Sequence, residues 1–338
     1  MRQGGTAPVP RGGGQIRRTR TIVALALALA LALFAGGLWI SSDDAAPYRG
    51  GPISIAAGVR SGVYFKYGEL LAPRLTEDLG APVRVDESSG SVDNLARIGD
   101  GRNTLGIATA DSVANLDPAK RAELRAVARL YDDYVQLVVP ASSGIRSLED
   151  LKGKRVVIGP PQSGVELITR RILATAEMDA DRDIVPVRLG IGDATKELGA
   201  GNVDAFFWSG GLPTEAVWQL ARSMKLRFVP LGEVATKLRA KYGHVYREAV
   251  IPADAYPGLD GRRDATVPTI AVPNLLVTRA DADTGLIRQV TGTVMGERES
   301  IGAQVHAAQL VDPRTAIFTD PPLKLHEGAR LWYRSAKP

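Results

Sequence analysis

The chain has 338 residues, 45% of them hydrophobic and 23% charged, a balance typical of a folded protein rather than a disordered one. It has no cysteine and three scattered histidines (His244, His306 and His326), which exclude disulfides and thiolate metal sites and disfavour a local histidine metal site. Five of the 42 basic residues precede the first acidic residue, Asp43, which leaves 37 basic and 37 acidic residues in the rest of the chain. Because that part of the chain has no net charge, the charge balance gives no support for nucleic-acid binding.

The first predicted element is an export segment. Residues 22–40 form an uncharged apolar run behind the arginines, the pattern of a secretory signal or a signal anchor. The run reaches the length of about 17–25 residues that a spanning helix needs, and the positive charge before it predicts a cytoplasmic arm at residues 1–21 and an extracytoplasmic body. We expect an uncleaved membrane anchor, with cleavage after the small residues at 35–37 as the alternative. A linker is predicted at residues 41–51.

Beyond the linker, short apolar runs alternate with amphipathic stretches. The first series predicts strands at residues 53–57, 82–87, 104–108, 124–129 and 134–139, and helices at residues 63–79, 92–99 and 111–115. The second series predicts strands at residues 155–158, 184–189, 204–207 and 226–230, and helices at residues 147–151, 164–176, 194–199, 214–224 and 233–242. A strand at residues 269–278 and a mainly helical remainder follow.

The alternation of strands and helices favours an α/β architecture with parallel sheets. Two such series predict two lobes. The first lobe would comprise residues 52–140 plus 267–338, and the second residues 141–252. Residues 253–266, which are rich in proline and glycine, are predicted to form a hinge or crossover region.

The turns after these strands are rich in glycine and serine. Ligands of open α/β sheets lie beyond the carboxyl ends of the strands, where helix N-termini present free N–H groups. Ser163 and Glu166 form an S-x-x-E capping box, which indicates a helix start. Several such turns together predict a cradle that binds a small anion through hydroxyl and N–H groups without a metal.

Nine residues of these turns are the candidate ligand contacts. They are Arg60, Ser61, Gly62, Tyr64, Ser91, Ser112, Ser163, Gly164 and Phe207. The serines and glycines would supply donors, Tyr64 and Phe207 an apolar or stacking wall, and Arg60 a partner for a carboxylate.

Motifs for other functions are incomplete. Gly159 to Gly164 begins like a phosphate-binding loop, but Val165 stands where lysine is required. The aspartates at 179, 181 and 183 resemble the start of a calcium loop, but Ile184 occupies the glycine position. The pair Asp132-Asp133 is predicted to lie on a solvated face. We therefore expect no catalytic site, no metal and no cofactor.

These turns resemble those of a known family. The segments that carry the resemblance are Ser61-Gly62-Val63-Tyr64, Gly90-Ser91-Val92-Asp93-Asn94-Leu95, residues 109–112, 124–131, 148–154 and 159–164, and residues 203–207 with 211–213. In order and spacing, residues 53–280 are similar to the TAXI family of extracytoplasmic solute-binding subunits of TRAP transporters. Gln162, Val165 and Arg60 depart from the residues that are usual in the family, at the turns expected to hold the ligand.

The resemblance implies a two-lobed periplasmic-binding-protein-like fold of the class II type, which closes about a hinge. It also implies a small organic anion as ligand, including acidic amino acids such as glutamate, and a TRAP transporter membrane subunit as partner. One alternative is a membrane-anchored sensor or accessory receptor with the same fold. A periplasmic enzyme is a further alternative.

Overall fold

The computed structural model describes residues 50–257 and 266–336, together with Met1, Gly4, Gly5 and Tyr48. The fold described below belongs to the compact unit Tyr48–Pro338. The predicted arm, the export segment at residues 22–40, most of the linker and residues 258–265 of the predicted hinge lie outside the described residues. Within the described ranges, no helix has the length and apolar character needed to cross a membrane.

Ten strands form one sheet in the described part of the chain. They are β1 (Ile53–Ala56), β2 (Val83–Asp86), β3 (Leu105–Thr109), β4 (Leu124–Pro140), β5 (Arg155–Val157), β6 (Val185–Val187), β7 (Ala205–Gly210), β8 (Leu226–Phe228), β9 (Arg247–Ile251) and β10 (Val267–Arg279). The order across the sheet is β2-β1-β3-β10-β4-β7-β5-β6, with β8 paired to β4 and β9 paired to β10. β1 pairs in parallel with β2 and β3, and β5 with β6 and β7.

Helices follow most of these strands. They are α1 (Val63–Leu79), α2 (Ser91–Gly99), α3 (Ala110–Ala114), α4 (Pro118–Ala122), α5 (Gly164–Thr175), α6 (Ile191–Gly199), α7 (Glu215–Ser223), α8 (Gly232–Tyr242), α9 (Thr284–Gly296), α10 (Arg298–Gly302), α11 (Pro313–Ala316) and α12 (Glu327–Ser335). Two short 3₁₀ helices lie at Glu149–Leu151 and His306–Leu310.

Strands β4 and β10 each run without a break through the middle of the sheet. The prediction of two separate strands at residues 124–129 and 134–139 is therefore wrong. The polar residues between them stay in the strand because Asp132 pairs with two arginines and Asp133 accepts a hydrogen bond from β10. A register shift between Pro273 and Leu275 of β10 absorbs the irregularity in the pairing. Strand β9 was not predicted.

The apolar core is divided along these two central strands. One cluster draws its buried residues from Val135 to Val272, and a second draws them from residues 53–131 and 276–333. A smaller third cluster draws them from residues 95–126 together with Leu275, Val277 and Leu323. We name the part that holds β1–β3 with α1 and α2 the first lobe, and the part that holds β5–β7 with α5–α8 the second lobe. The predicted boundaries at residues 140 and 267 remain predictions.

Candidate functional site

Three helix N-termini meet at one cavity between the lobes. α1 begins after Gly62, α2 after Gly90 and α5 after Ser163, each at the carboxyl end of a parallel strand. The first N–H groups of a helix have no partner within the helix, and the aligned peptide dipoles place about half a positive charge there. The fold therefore concentrates free donors and positive potential on this cavity.

Buried side chains hold the turns of the first lobe in place. The Gly58 N–H donates to Ser88 Oγ at 2.8 Å, and the Ser88 hydroxyl donates to Asn94 Oδ1. Asn94 Nδ2 in turn donates to the carbonyl of Ile107 on β3 at 2.7 Å. The turns after β1 and β2 are thereby fixed to the sheet, so the cavity wall is already shaped before a ligand enters.

The predicted capping box at the start of α5 is confirmed. Ser163 Oγ accepts a hydrogen bond from the Glu166 N–H at 3.0 Å. The Glu166 carboxylate accepts from the Gln162 N–H at 3.1 Å, one residue earlier than in the standard motif. The Ser163 side chain is 3% exposed, and its bond from Glu166 leaves the hydroxyl hydrogen for another acceptor.

The lobes are in direct contact at this cavity, and glycines permit the close approach. A Cβ on Gly164 would lie 2.9 Å from Ser91 Oγ and 3.2 Å from Thr109 Oγ1. Gly90 has a φ of +125°, and a Cβ there would lie 3.2 Å from the Cβ of Ser163. Side chains at either position would hold the lobes apart, so both glycines are needed for the closed arrangement.

Hydrogen bonds also join the lobes around the cavity. The Asp93 N–H donates to the Gln162 carbonyl at 3.1 Å. Arg171 of α5 donates to Asn115 Oδ1 of the first lobe at 2.6 Å. These contacts describe a closed form of a two-lobed protein, since each would be lost if the lobes separated.

The cavity measures about 50 Å³. Its wall is formed by residues 57–59, 62–64 and 89–91 of the first lobe and residues 163–165 and 208–210 of the second, together with Thr109, Asp133 and Pro160. Among these residues there is no lysine, arginine or histidine. On this measure one water needs about 10–15 Å³, so the cavity admits a few waters or a small solute.

A buried carboxyl group faces this cavity. Asp133 of β4 is 2% exposed, so the prediction of a solvated Asp132-Asp133 face is wrong for Asp133. Asp133 Oδ1 accepts a hydrogen bond from Asn274 Nδ2 at 2.6 Å, and Oδ2 lies 3.3 Å from the Tyr64 hydroxyl. The Tyr64 hydroxyl donates to Asn274 Oδ1 and lies 3.4 Å from Ser91 Oγ.

Burial governs the protonation of this network. Desolvation raises the pKa of Asp133 to about 7, against the hydrogen bonds from Asn274 and Tyr64, which lower it. Burial, with the nearby Asp133 charge, also raises the pKa of Tyr64 above its usual value. The carboxyl of Asp133 therefore changes its charge near neutral pH.

Five of the nine predicted contact residues line the cavity. They are Gly62, Tyr64, Ser91, Ser163 and Gly164. Ser91 Oγ accepts from the Thr109 N–H at 3.1 Å, which ties the start of α2 to the end of β3. The cavity thus gathers residues from three turns that are far apart in the chain.

The other four predicted residues lie elsewhere. Arg60 is exposed, pairs with Glu87 at 3.0 Å and lines a separate surface cavity of about 720 Å³ together with Ser61. Ser112 is buried against Thr109, with 2.8 Å between their hydroxyl oxygens. Phe207 packs in the core of the second lobe, and the three residues after it, Trp208, Ser209 and Gly210, line the cavity instead.

Sequence reasoning missed Asp133, Trp208 and Ser209 as cavity residues. Trp208 Nε1 donates to Thr214 Oγ1 at 2.9 Å, which fixes the indole ring in the wall. No local motif marks Asp133, whereas Trp208 and Ser209 lie in the glycine- and serine-rich strand end at residues 204–211, from which Phe207 was predicted. Their place in buried strands could have indicated them, since Asp133 lies within β4 and Trp208 and Ser209 lie near the end of β7. In the described ranges, no group of three or more histidine, aspartate or glutamate side chains is placed to hold a metal ion.

Solved structures of other proteins share this fold. A protein of Bordetella bronchiseptica RB50 matches with a TM-score of 0.50 and 16% identity over 85% of this chain and 80% of its own. A structure described as a periplasmic transporter matches with a TM-score of 0.50 and 16% identity over 85% and 93%. The periplasmic aliphatic sulphonate-binding protein of Escherichia coli gives a TM-score of 0.43 at 14% identity over 86% and 84%.

At this identity the likeness concerns the fold alone. The α/β, two-lobed periplasmic-binding-protein-like fold expected from the sequence is confirmed. The model of the NMT1-like family matches residues 55–336, which is most of the chain and includes both lobes and the cavity between them. The chain therefore belongs to the NMT1-like family.

Proposed function

We propose that the protein is an extracytoplasmic solute-binding protein, which encloses a small ligand between its lobes and delivers it to a membrane transporter. The observation that carries this proposal is the interlobe cavity, whose wall comes from both lobes and includes three helix N-termini. A ligand that contacts both lobes stabilises the closed form through contacts that the open form lacks. The fold shared with a periplasmic transporter supports the same function.

The ligand is a small organic acid or acidic amino acid, with glutamate as the example that the TAXI resemblance implies. Its carboxylate would accept hydrogen bonds from the Gly164 N–H and from the hydroxyls of Ser91 and Ser163. These donors act without a cationic side chain in the wall, because helix N-termini favour an anion. The cavity volume of about 50 Å³ restricts the ligand to a small molecule.

The partner is a TRAP transporter membrane subunit, and residues 22–40 anchor the protein to the membrane. The TAXI resemblance supports the partner, and the apolar run behind five arginines supports the anchor. Mass spectrometry of protein from its native host tests the anchor, and a mature N-terminus between residues 36 and 47 would contradict it. A membrane-anchored sensor is the alternative, which predicts that deleting the gene leaves ligand uptake unchanged.

The proposal assigns no catalytic role to the cavity. Serine hydroxyls such as those of Ser91 and Ser163 need an adjacent base to become nucleophiles, and the described wall offers no histidine or lysine. The remaining ionisable groups, Asp133 and Tyr64, are bound into a network with Asn274. We propose binding without a metal or cofactor.

A thermal-shift screen of the full chain tests this function. The panel contains glutamate, glutamine, 2-oxo acids and dicarboxylates, with sugars as uncharged controls. A ligand at 100 times its dissociation constant adds about 2.7 kcal/mol to the free energy of unfolding. For a protein of this size we expect a rise in melting temperature of about 5–10 °C. A panel in which only sugars give a shift would contradict the carboxylate site.

Ser163→Ala separates the capping role of this residue from ligand binding. We expect a loss of about 1 kcal/mol of stability without ligand, because the helix cap is removed. Asp283→Ala is the matched control, since Asp283 caps α9 through the Leu286 N–H at 2.7 Å and lies outside the cavity wall. Both variants should lose stability, but only Ser163→Ala should also lose about fivefold or more in ligand affinity. Equal affinities in the two variants would exclude Ser163 as a donor to the ligand.

A further inference from the structure

Two polar side chains in the cavity wall have unused hydrogen-bonding capacity. Ser209 Oγ is buried, with 7% of the residue exposed, and has no hydrogen-bond partner among the described residues. The second is the Asp133 carboxyl, which is 2% exposed. A buried polar group without a partner is costly, so a ligand that satisfies both groups gains from each contact.

Counting hydrogens shows which oxygen of Asp133 is free. Tyr64 has one hydroxyl hydrogen, and its nearest acceptor is Asn274 Oδ1. Asn274 Nδ2 donates to Asp133 Oδ1 at 2.6 Å. Asp133 Oδ2 accepts only from the Tyr64 hydroxyl, at 3.3 Å, and Tyr64 shares that one hydrogen with Asn274 Oδ1. A carboxylate oxygen has two lone pairs, so at least one on Oδ2 stays unused. Oδ2 can therefore accept a hydrogen bond from a ligand.

The charges around the cavity complement a ligand with two opposite charges. The three helix N-termini favour an anionic group, while Asp133 is the only carboxyl in the described wall and no cationic side chain offsets it there. A dicarboxylate or a 2-oxo acid would satisfy the helix N-termini but leave the Asp133 charge buried without a counter-charge. An ammonium group on the ligand supplies that counter-charge.

We infer that Asp133 accepts a hydrogen bond from an ammonium group of the ligand, with Ser209 as a second polar contact, so that the protein selects small amino acids over dicarboxylates and 2-oxo acids. This inference rests on the proposed function and narrows its ligand class. Asp133 then acts as a residue that determines specificity. Its ionised form is the one that binds the ligand.

The test compares acids that differ in the amino group alone. Isothermal titration of the full chain at pH 8 uses L-glutamate against 2-oxoglutarate, and L-alanine against pyruvate. We expect at least one amino acid to bind at least about tenfold more tightly than its 2-oxo partner, because the hydrogen bond joins two charged groups. Asp133→Asn should lower the affinity for that amino acid by about 10- to 100-fold, and Ser209→Ala should lower it by about fivefold.

Asp132→Asn is the matched control. It removes the same charge from the neighbouring residue, whose carboxylate pairs with Arg129 and Arg247 and does not line the cavity. We expect the affinity of the Asp132→Asn variant for the amino acid to stay within about threefold of that of the unsubstituted protein. Circular dichroism of each variant confirms that the fold is retained, and Ser209→Ala provides an independent reading if Asp133→Asn does not fold.

The outcomes separate the inference from the proposed function. If 2-oxo acids bind as tightly as amino acids and neither variant changes the affinity, the inference is overturned while solute binding stands. Tighter binding of the 2-oxo acids at pH 5 than at pH 8 would indicate that a protonated Asp133 donates to a ligand oxygen, which also overturns it. If no compound of either kind binds, the inference and the proposed ligand class both fail.

Discussion

Replacing Asp133 with asparagine is expected to stabilise the protein at pH 8 by about 4 kcal/mol and to leave its stability nearly unchanged at pH 4. Burial raises the pKa of this carboxyl from 3.8 to about 7. Between these values the unfolded chain releases the proton while the folded protein keeps it, so stability falls as the pH rises through this window. Asparagine never ionises and avoids that loss, and each pKa unit is worth about 1.4 kcal/mol.

The neighbours of Asp133 do not change the direction of this effect. The groups that face it are Tyr64, Tyr131, Asn274, Asp111 and Asp132. The charges of Asp132 and Asp111 raise its pKa further, and the hydrogen bonds from Asn274 and Tyr64 lower it by less than burial raises it. Asparagine preserves the shape of the site, since its oxygen can accept from Asn274 and its amide can donate to Tyr64.

Denaturant unfolding of the full chain at both pH values measures this difference. Asp132→Asn again serves as the control, and we expect it to lower stability because the ion pairs with Arg129 and Arg247 are lost. A destabilisation by Asp133→Asn that is equal at pH 4 and pH 8 would show that Asp133 is paired and ionised in the folded protein. Greater stability combined with weaker ligand binding is the expected signature of a functional residue.

Gly164→Val is expected to weaken ligand binding by about 10- to 100-fold without preventing folding. Its Cβ would lie 2.9 Å from Ser91 Oγ, so valine would hold the lobes apart. Overpacking of this kind costs about 1–3 kcal/mol, and that cost applies only to the closed form. The open form keeps the fold of each lobe, so binding loses affinity because closure carries the penalty.

Gly99→Val is the matched control for this substitution. Gly99 is the last residue of α2, and nothing lies within 4 Å of the position that its Cβ would take. We expect this variant to bind ligand with affinity close to that of the original chain. Titration of both variants with the strongest ligand of the panel gives the comparison, and equal affinities would show that Ser91 and Gly164 need not meet for binding.

Most strands and helices could be predicted because each depends on local pattern. The alternation of apolar runs with amphipathic stretches placed α1, α2 and α5 within one residue at either end, and the Ser163–Glu166 motif placed the start of α5. The glycine and serine turns indicated where helix N-termini would meet. These features are encoded within a few residues of one another.

The polar contacts around Asp133 could not be predicted because they depend on long-range strand pairing. Asp133 meets Asn274, which is 141 residues further along the chain, only because β4 and β10 lie side by side. The sequence around Asp132-Asp133 has the local pattern of an exposed turn. The continuous strand β4 separates the two carboxylates, so that Asp132 pairs with arginines and Asp133 faces the cavity.

The central claim is that a small ligand is enclosed between the lobes, and hydrogen–deuterium exchange tests it most directly. The full chain is compared with and without the panel compound that gives the largest thermal shift. We expect slower exchange in both lobes at once, at residues 58–64 and 89–94 of the first and residues 162–167 and 208–211 of the second. Protection confined to one lobe, or found only at the surface cavity beside Arg60 and His306, would contradict binding between the lobes.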